Sequence, residues 1–275
     1  MLITLIGCGK MGSAMLQGWL NDATLDADFA IVEPHHDALA WTSSYTNVRL
    51  FDDCAAAAAA ADRPSQMVVL AVKPQIMDDA IATLGGIAGS DTAFLSIAAG
   101  IPTDWLTARL PKNADGSDAL VLRSMPNTPA AIGKGVTVLY TADAPAAIAA
   151  LAAQLLAAVG AVVTIDDEGL MDAVTAVSGS GPAYVFLLAE TMTAAGIAAG
   201  LPAALSQQLA EATVAGAGEL IAASDDPPSQ LRVNVTSKGG TTAAALAVLM
   251  DDDGLAPLMK RAIIAARDRS LELGS

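Results

Sequence analysis

The opening stretch of this chain constrains its fold more than any other. Leu2-Ile3-Thr4-Leu5-Ile6 is a short apolar run rich in branched side chains, Gly7-Cys8-Gly9-Lys10-Met11-Gly12 follows at once, and Met15, Leu16, Trp19 and Leu20 then recur at helical spacing. Strand, glycine turn and helix in that order give G-x-G-x-x-G its physical meaning. Gly7 makes the turn, Gly9 lets the main chain approach a pyrophosphate, and Gly12 lets the helix lie close on the strand with its N-terminus facing the anion. Such a start predicts a dinucleotide-binding unit.

The alternation that follows predicts an α/β fold built on a doubly wound parallel sheet. Phe29–Val32, Val48–Leu50, Met67–Leu70, Ala93–Ile97, Ala119–Arg123, Val136–Leu139 and Ala161–Ile165 read as strands. Helical patterns at Asp53–Ala61, Gln75–Leu84, Thr103–Leu110 and Pro145–Val159 separate several of them, as parallel neighbours require. In such sheets the cofactor lies beyond the carboxyl ends of the strands. The turns Ala71-Val72-Lys73-Pro74, Ala98-Ala99-Gly100 and Met125-Pro126-Asn127-Thr128-Pro129 are therefore expected at the nicotinamide end, with Lys73 and Asn127 as polar contacts. A plainer use for Pro74 and Pro126 is to end strands. Glu33 closes the second strand about twenty residues after Gly12, where an acid holds the adenosine ribose and repels a 2′-phosphate. That leans toward NADH, although His35 and His36 beside it would soften the discrimination if charged.

Beyond Asp166 no strand pattern recurs, and Met171–Ser178, Pro182–Gly196, Pro202–Ala223, Pro228–Val235, Thr241–Asp251 and Ala256–Leu273 all read as helical. Domains are expected at residues 1–166 and 167–275. Ala144–Ile165 carries no charge and Ala173–Ala210 only Glu190, but glycines and prolines interrupt both, so they read as buried helices and not membrane spans. Helices apolar on every side need partners on every side, which predicts an extensive subunit interface. Two glycine turns stand at helix starts here: Ser178-Gly179-Ser180-Gly181-Pro182-Ala183-Tyr184 and Val235-Thr236-Ser237-Lys238-Gly239-Gly240-Thr241-Thr242. The second offers unpaired N–H groups behind an approachable loop, a site for a small anion; an ordinary capped helix is the plainer alternative.

Composition narrows the function further. A net charge of -15 and a pI near 4.2 repel phosphodiester backbones and anionic lipid, so neither nucleic acid nor membrane is expected as a partner. Cys8 and Cys54 make no disulfide framework, and the adjacent His35 and His36 supply neither a metal set nor a Ser-His-Asp triad. Chemistry is then left to a cofactor. The first strand begins at Leu2, leaving no stretch for a signal peptide, and a cytoplasmic protein is expected.

Taken in order, the glycine motif Gly7 to Gly12, Ala71-Val72-Lys73-Pro74, Met125-Pro126-Asn127-Thr128-Pro129, the Ser178 to Tyr184 turn and the Val235 to Thr242 loop resemble the pyrroline-5-carboxylate reductase family over nearly the whole chain. The resemblance implies an N-terminal Rossmann domain and a C-terminal all-helical dimerisation domain, a homodimer, and assembly of dimers into a larger ring. It implies NADPH- or NADH-dependent reduction of 1-pyrroline-5-carboxylate to L-proline, the last step of proline biosynthesis, by hydride transfer to the cyclic imine carbon. Ser237, Gly239, Gly240 and Thr241 would bind the substrate carboxylate and Thr242 the ring nitrogen, with Ser237 and Thr242 as the catalytic pair. Asp225 stands where the family carries an acid near that threonine. The cofactor set would be Gly7, Cys8, Gly9, Lys10, Met11, Gly12, Glu33, Ala71, Val72, Lys73, Pro74, Ala98, Gly100, Met125, Pro126 and Asn127. Three positions depart from the family pattern: Lys10 stands where asparagine is common, Lys238 replaces the usual proline, and Glu33 sits poorly with NADPH. A β-hydroxyacid dehydrogenase, the nearest rival, would need a lysine on its interdomain helix, and Asp166–Gly218 contains none.

Overall fold

The computed structural model describes residues 1–113 and 115–274. Eight strands form one sheet: β1 (Leu2–Ile6), β2 (Asp28–Val32), β3 (Val48–Phe51), β4 (Ser65–Leu70), β5 (Ala88–Ser96), β6 (Leu120–Met125), β7 (Gly135–Tyr140) and β8 (Gly160–Ile165), in the order β3-β2-β1-β4-β5-β6-β7-β8. All of β1 is buried, because helices cover both faces of the sheet and leave no polar side. Ile3 and Leu5 point to a core with α1 (Lys10–Asn21) and a later helix, Ala146–Ala157. Ile6 points the opposite way, to a core shared with α2 (Cys54–Ala60), α3 (Met77–Ala82) and α4 (Thr103–Thr107). The helix at Ala146–Ala157 is α5, and Trp19 locks α1 to it by donating its indole N–H to Leu155 O at 2.8 Å while stacking on Phe29.

The strands from β1 to β6 are parallel, but β7 is antiparallel to β6, and β8 parallel to β7. A parallel return needs a crossover of a dozen or more residues. The link from Met125 to Gly135 is shorter and holds only a 3₁₀ turn at Thr128–Ile132, so the chain doubles back. Between β2 and β3 a 3₁₀ helix at His36–Ser44 fills a stretch for which no element was expected.

The contacts divide the chain into two compact units, Met1–Gly179 joined by the residues from Ala266 onward, and Ser180–Ala265. Residues 168–179, beyond the expected division between residues 166 and 167, are grouped with the first unit. The reason is a set of ties that hold 168–179 to the sheet. Glu168 accepts hydrogen bonds from Thr103 and from the buried Arg123. Met171, on α6 (Met171–Val174), and Ala176, on the π-helical turn Thr175–Gly179, are buried. Ser270 Oγ donates to Asp172 at 2.6 Å, bringing the end of the last helix to the same segment.

The second unit is helical: α7 (Gly181–Ala198), α8 (Ala203–Ala223), α9 (Pro228–Asn234), α10 (Thr241–Leu249) and the larger part of α11 (Leu255–Leu273). Gly196 brings α7 and α8 together, since a Cβ there would stand 2.1 Å from Ser206 Oγ, which donates to Thr193 O. Pro182 and Pro228 sit in first turns, where a missing N–H costs nothing. Among the described residues no helix is long and apolar enough to cross a membrane.

Candidate active site

The glycine turn has the geometry its spacing requires. Gly7 has φ +85°, and a Cβ there would meet Val72 Cγ1 at 2.8 Å. One on Gly12 would meet Gly7 O at 2.5 Å. A Cβ on Gly9, the residue that begins α1, would have nothing within 4 Å. Two glycines therefore shape the turn, and the third leaves open space at an N-terminus that no side chain caps. Such a place fits a dinucleotide's pyrophosphate.

Glu33 is fastened to this turn. Its Oε2 accepts from Cys8 N–H at 2.9 Å and its Oε1 from His35 N–H at 3.1 Å. Each carboxylate oxygen keeps a lone pair for ribose hydroxyls. Burial first, and the Glu33 charge second, push the Cys8 thiol up to about 12. Cys8 is accordingly a wall of the turn and not a nucleophile.

A cleft of about 350 Å³ opens at the carboxyl ends of β1, β4, β5 and β6. Gly9, Lys10, Met11, the whole of Ala71-Val72-Lys73-Pro74, Ala98, Ala99, Met125, Pro126, Asn127, Thr128 and Gly179 bound it. Five separated stretches of the chain thus meet at one place. Gly100 does not line the cleft: it is buried against the end of α11, where a Cβ would come within 3.2 Å of Ser270 O and Leu273 Cβ. Asn127 borders the cleft, and each end of its amide makes one hydrogen bond within the wall. Its Oδ1 accepts from Val136 N–H at 2.9 Å and its Nδ2 donates to Ser178 O at 3.1 Å, so it braces the wall. Lys73 is exposed.

In the second unit, Gly239 (φ +73°) turns the chain into α10, with Gly240 as N-cap. Gly240 N–H donates to Ser237 O at 3.1 Å, and a Cβ on Gly240 would stand 2.4 Å from Ser237 Oγ. No side chain caps α10, and Ser237, Lys238, Gly239 and Thr241 are exposed. The arrangement suits a small anion, held by backbone N–H groups, the helix dipole and the Ser237 hydroxyl.

Sequence reasoning passed over Glu168, Arg123 and Thr103. The signal was an arginine inside the apolar strand Leu120-Val121-Leu122-Arg123, since a buried guanidinium needs a carboxylate. No cluster of potential metal ligands occurs among the described residues.

Residues 168–273 match the family described as pyrroline-5-carboxylate reductase dimerisation. Residues 2–100 match NADP oxidoreductase coenzyme F420-dependent. The pyrroline-5-carboxylate reductase of Synechocystis sp. is 40% identical over 273 residues, 98% of this chain and 97% of the relative. The chain belongs to the pyrroline-5-carboxylate reductase family. The reductase of Pseudomonas aeruginosa is 39% identical over 98% of this chain and 96% of its own length. Among solved structures, the pyrroline-5-carboxylate reductase of Coxiella burnetii superposes with a TM-score of 0.86 at 30% identity, covering 99% of this chain and 98% of that one. The Plasmodium falciparum pyrroline carboxylate reductase with NADP bound gives 0.79 at 27% identity, with the same coverage. This member of the family is an oxidoreductase that uses a nicotinamide cofactor.

Proposed function

We propose that this chain reduces 1-pyrroline-5-carboxylate to L-proline in the cytoplasm, with the cofactor lying from Glu33 across the open Gly9 to the cleft and the substrate held at the Ser237 to Thr242 loop of a second subunit. The observation that carries the reading is the pair of helix starts without side-chain caps, α1 and α10, each behind a glycine turn. One suits a pyrophosphate and the other a carboxylate. The loop is supplied by a homodimer partner, and dimers assemble further into a ring. Gly7 and Gly12 shape the turn, Glu33 takes the adenosine ribose, and the walls from Ala71 to Pro74, at Ala98 and from Met125 to Asn127 bound the nicotinamide. Gly100 acts from behind, fixing the Ala98 turn. When bound, the dihydronicotinamide supplies a hydride to the C=N carbon.

The chain's own groups do the rest. Backbone N–H groups of Gly239, Gly240 and Thr241, with the Ser237 hydroxyl, hold the carboxylate. The Thr242 hydroxyl faces the ring nitrogen and orients its proton; a hydroxyl is too weak an acid to act alone. A net charge of -15 favours the protonated iminium, the better acceptor, while the helix start offsets the same field at the carboxylate. Glu33 makes NADH the preferred cofactor, because a 2′-phosphate would lie against its charge.

Oxidation of NADH and NADPH on adding 1-pyrroline-5-carboxylate, with wild type and Thr242→Ala in parallel, tests this. Turnover by wild type and strong impairment of the variant are expected, with NADH the more efficient donor. A wild type that binds cofactor yet leaves the imine unreduced sinks the assignment of substrate; an unimpaired Thr242→Ala sinks the role of the loop.

A further inference from the structure

We infer that Glu168 is a positioning residue that sets the width of the cleft at its nicotinamide end, an inference resting on the cofactor site proposed above. Gly179 forms one wall of the cleft and Met125 to Thr128 another. The two walls touch: a Cβ on Gly179 would stand 2.4 Å from Met125 Cε, and Asn127 donates to Ser178 O. The Gly179 wall is the end of a π-helical turn, Thr175–Gly179, a rare geometry that is frequent at functional sites. The segment is held at its other end. Glu168 Oε1 accepts from Thr103 N–H at 2.8 Å and from Arg123 Nη1 at 2.9 Å, while Oε2 accepts from Thr103 Oγ1 at 2.6 Å.

Each donor belongs to a different wall. Thr103 opens α4 just after the Ala98-Ala99 turn, and Arg123 lies two residues before Met125 on the same strand. One carboxylate therefore ties together the turn after β5, the end of β6 and the segment that carries Gly179. Arg123 is only 4% exposed. A buried ion pair is a poor device for stability alone, because apolar residues of similar volume do as well or better. What it adds is direction: three hydrogen bonds to one carboxylate fix Glu168 at one place, where apolar packing would let the segment slide.

The test compares two ligands by calorimetric titration. One is whichever of NADH and NADPH binds wild type more tightly; the other is the same molecule cut off before the nicotinamide, ADP-ribose or its 2′-phosphate. Glu168→Gln keeps the shape and removes the charge. It is expected to weaken the dinucleotide about tenfold, about 1.4 kcal/mol, and to leave the truncated ligand unchanged. Glu168→Asp, which keeps the charge, should recover part of the loss. Thr103→Val, which deletes one hydrogen bond, should give a smaller loss of the same kind and carries the test if Glu168→Gln does not fold. Partial reversible unfolding lowers the apparent affinity for both ligands by the same factor, so it cannot imitate a loss confined to the dinucleotide. Equal weakening of both ligands, or no change in either, overturns the inference. A wild type that binds neither ligand overturns the cofactor site itself.

Discussion

Each oxygen of Glu33 accepts one backbone hydrogen bond, from Cys8 and from His35. The side chain proposed to meet the ribose therefore also holds the glycine turn in place. Glu33→Gln keeps one acceptor oxygen and removes the charge that a 2′-phosphate would meet. The ratio of catalytic efficiencies should move toward NADPH by roughly tenfold, about 1.4 kcal/mol, the size of a charge contact largely screened by solvent; an unmoved ratio would leave Glu33 as a brace alone. Cys8 beside it gives a pH prediction. Its thiol titrates near 9.0 when free and about 12 in the fold, so the folded chain keeps a proton that the unfolded chain releases. The stability it contributes is complete below pH 9 and is lost as pH rises toward 12. Urea midpoints should fall between pH 8 and 10 in wild type and fall less in Cys8→Ala, and Cys8 should resist iodoacetamide until the protein is unfolded.

The elements that position the site were legible where local pattern and long-range structure agree. β1, its glycine turn and α1 follow from the first residues, because apolar alternation, positive φ and close packing act within one unit. The reversal at β7 was not legible from propensity: Gly135–Tyr140 is as good a strand in either direction, and only the short link from Met125 decides it. Glu168 was harder still, since its partners Arg123 and Thr103 are 45 and 65 residues away. Asn127 was found as a member of the cleft, but its bracing bonds with Val136 and Ser178 were not foreseen. The loop before α10 was found through its glycines, and its geometry yields a sharp prediction. A Cβ on Gly240 would press on Ser237 Oγ at 2.4 Å, in a loop that is exposed. Gly240→Ala should therefore raise KM for the imine by about tenfold or more, the loss of one charge-assisted hydrogen bond, with the melting temperature and the cofactor Kd nearly unchanged. A fall in cofactor affinity of the same size would refute a role confined to the carboxylate.

Phe186, Leu187 and Leu188 are consecutive on α7, yet they are 66%, 56% and 48% exposed. Successive helical residues point about 100° apart, so α7 presents apolar side chains over more than half its circumference. Val248, Leu249 and Met250 at the end of α10 do the same, and Leu255 and Leu258 continue the pattern on α11. Monomeric proteins rarely leave such surface in water, and a second copy of a chain carrying this dimerisation region is the partner that fits it. The first unit, by contrast, holds every residue that lines the cleft proposed for the cofactor. Dinucleotide binding and imine reduction should then respond differently to loss of the partner. Leu187→Glu, which places a charge on the apolar surface, should sediment as a smaller species than the associated wild type, and should melt at lower temperature. The wild-type melting temperature should rise with protein concentration, as it does for any fold stabilised by association. The variant should still bind dinucleotide with near wild-type Kd, yet reduce the imine at a small fraction of the wild-type rate if, as proposed, the carboxylate loop is supplied by the neighbour. A monomeric variant with full imine reduction would mean that each chain completes its own site.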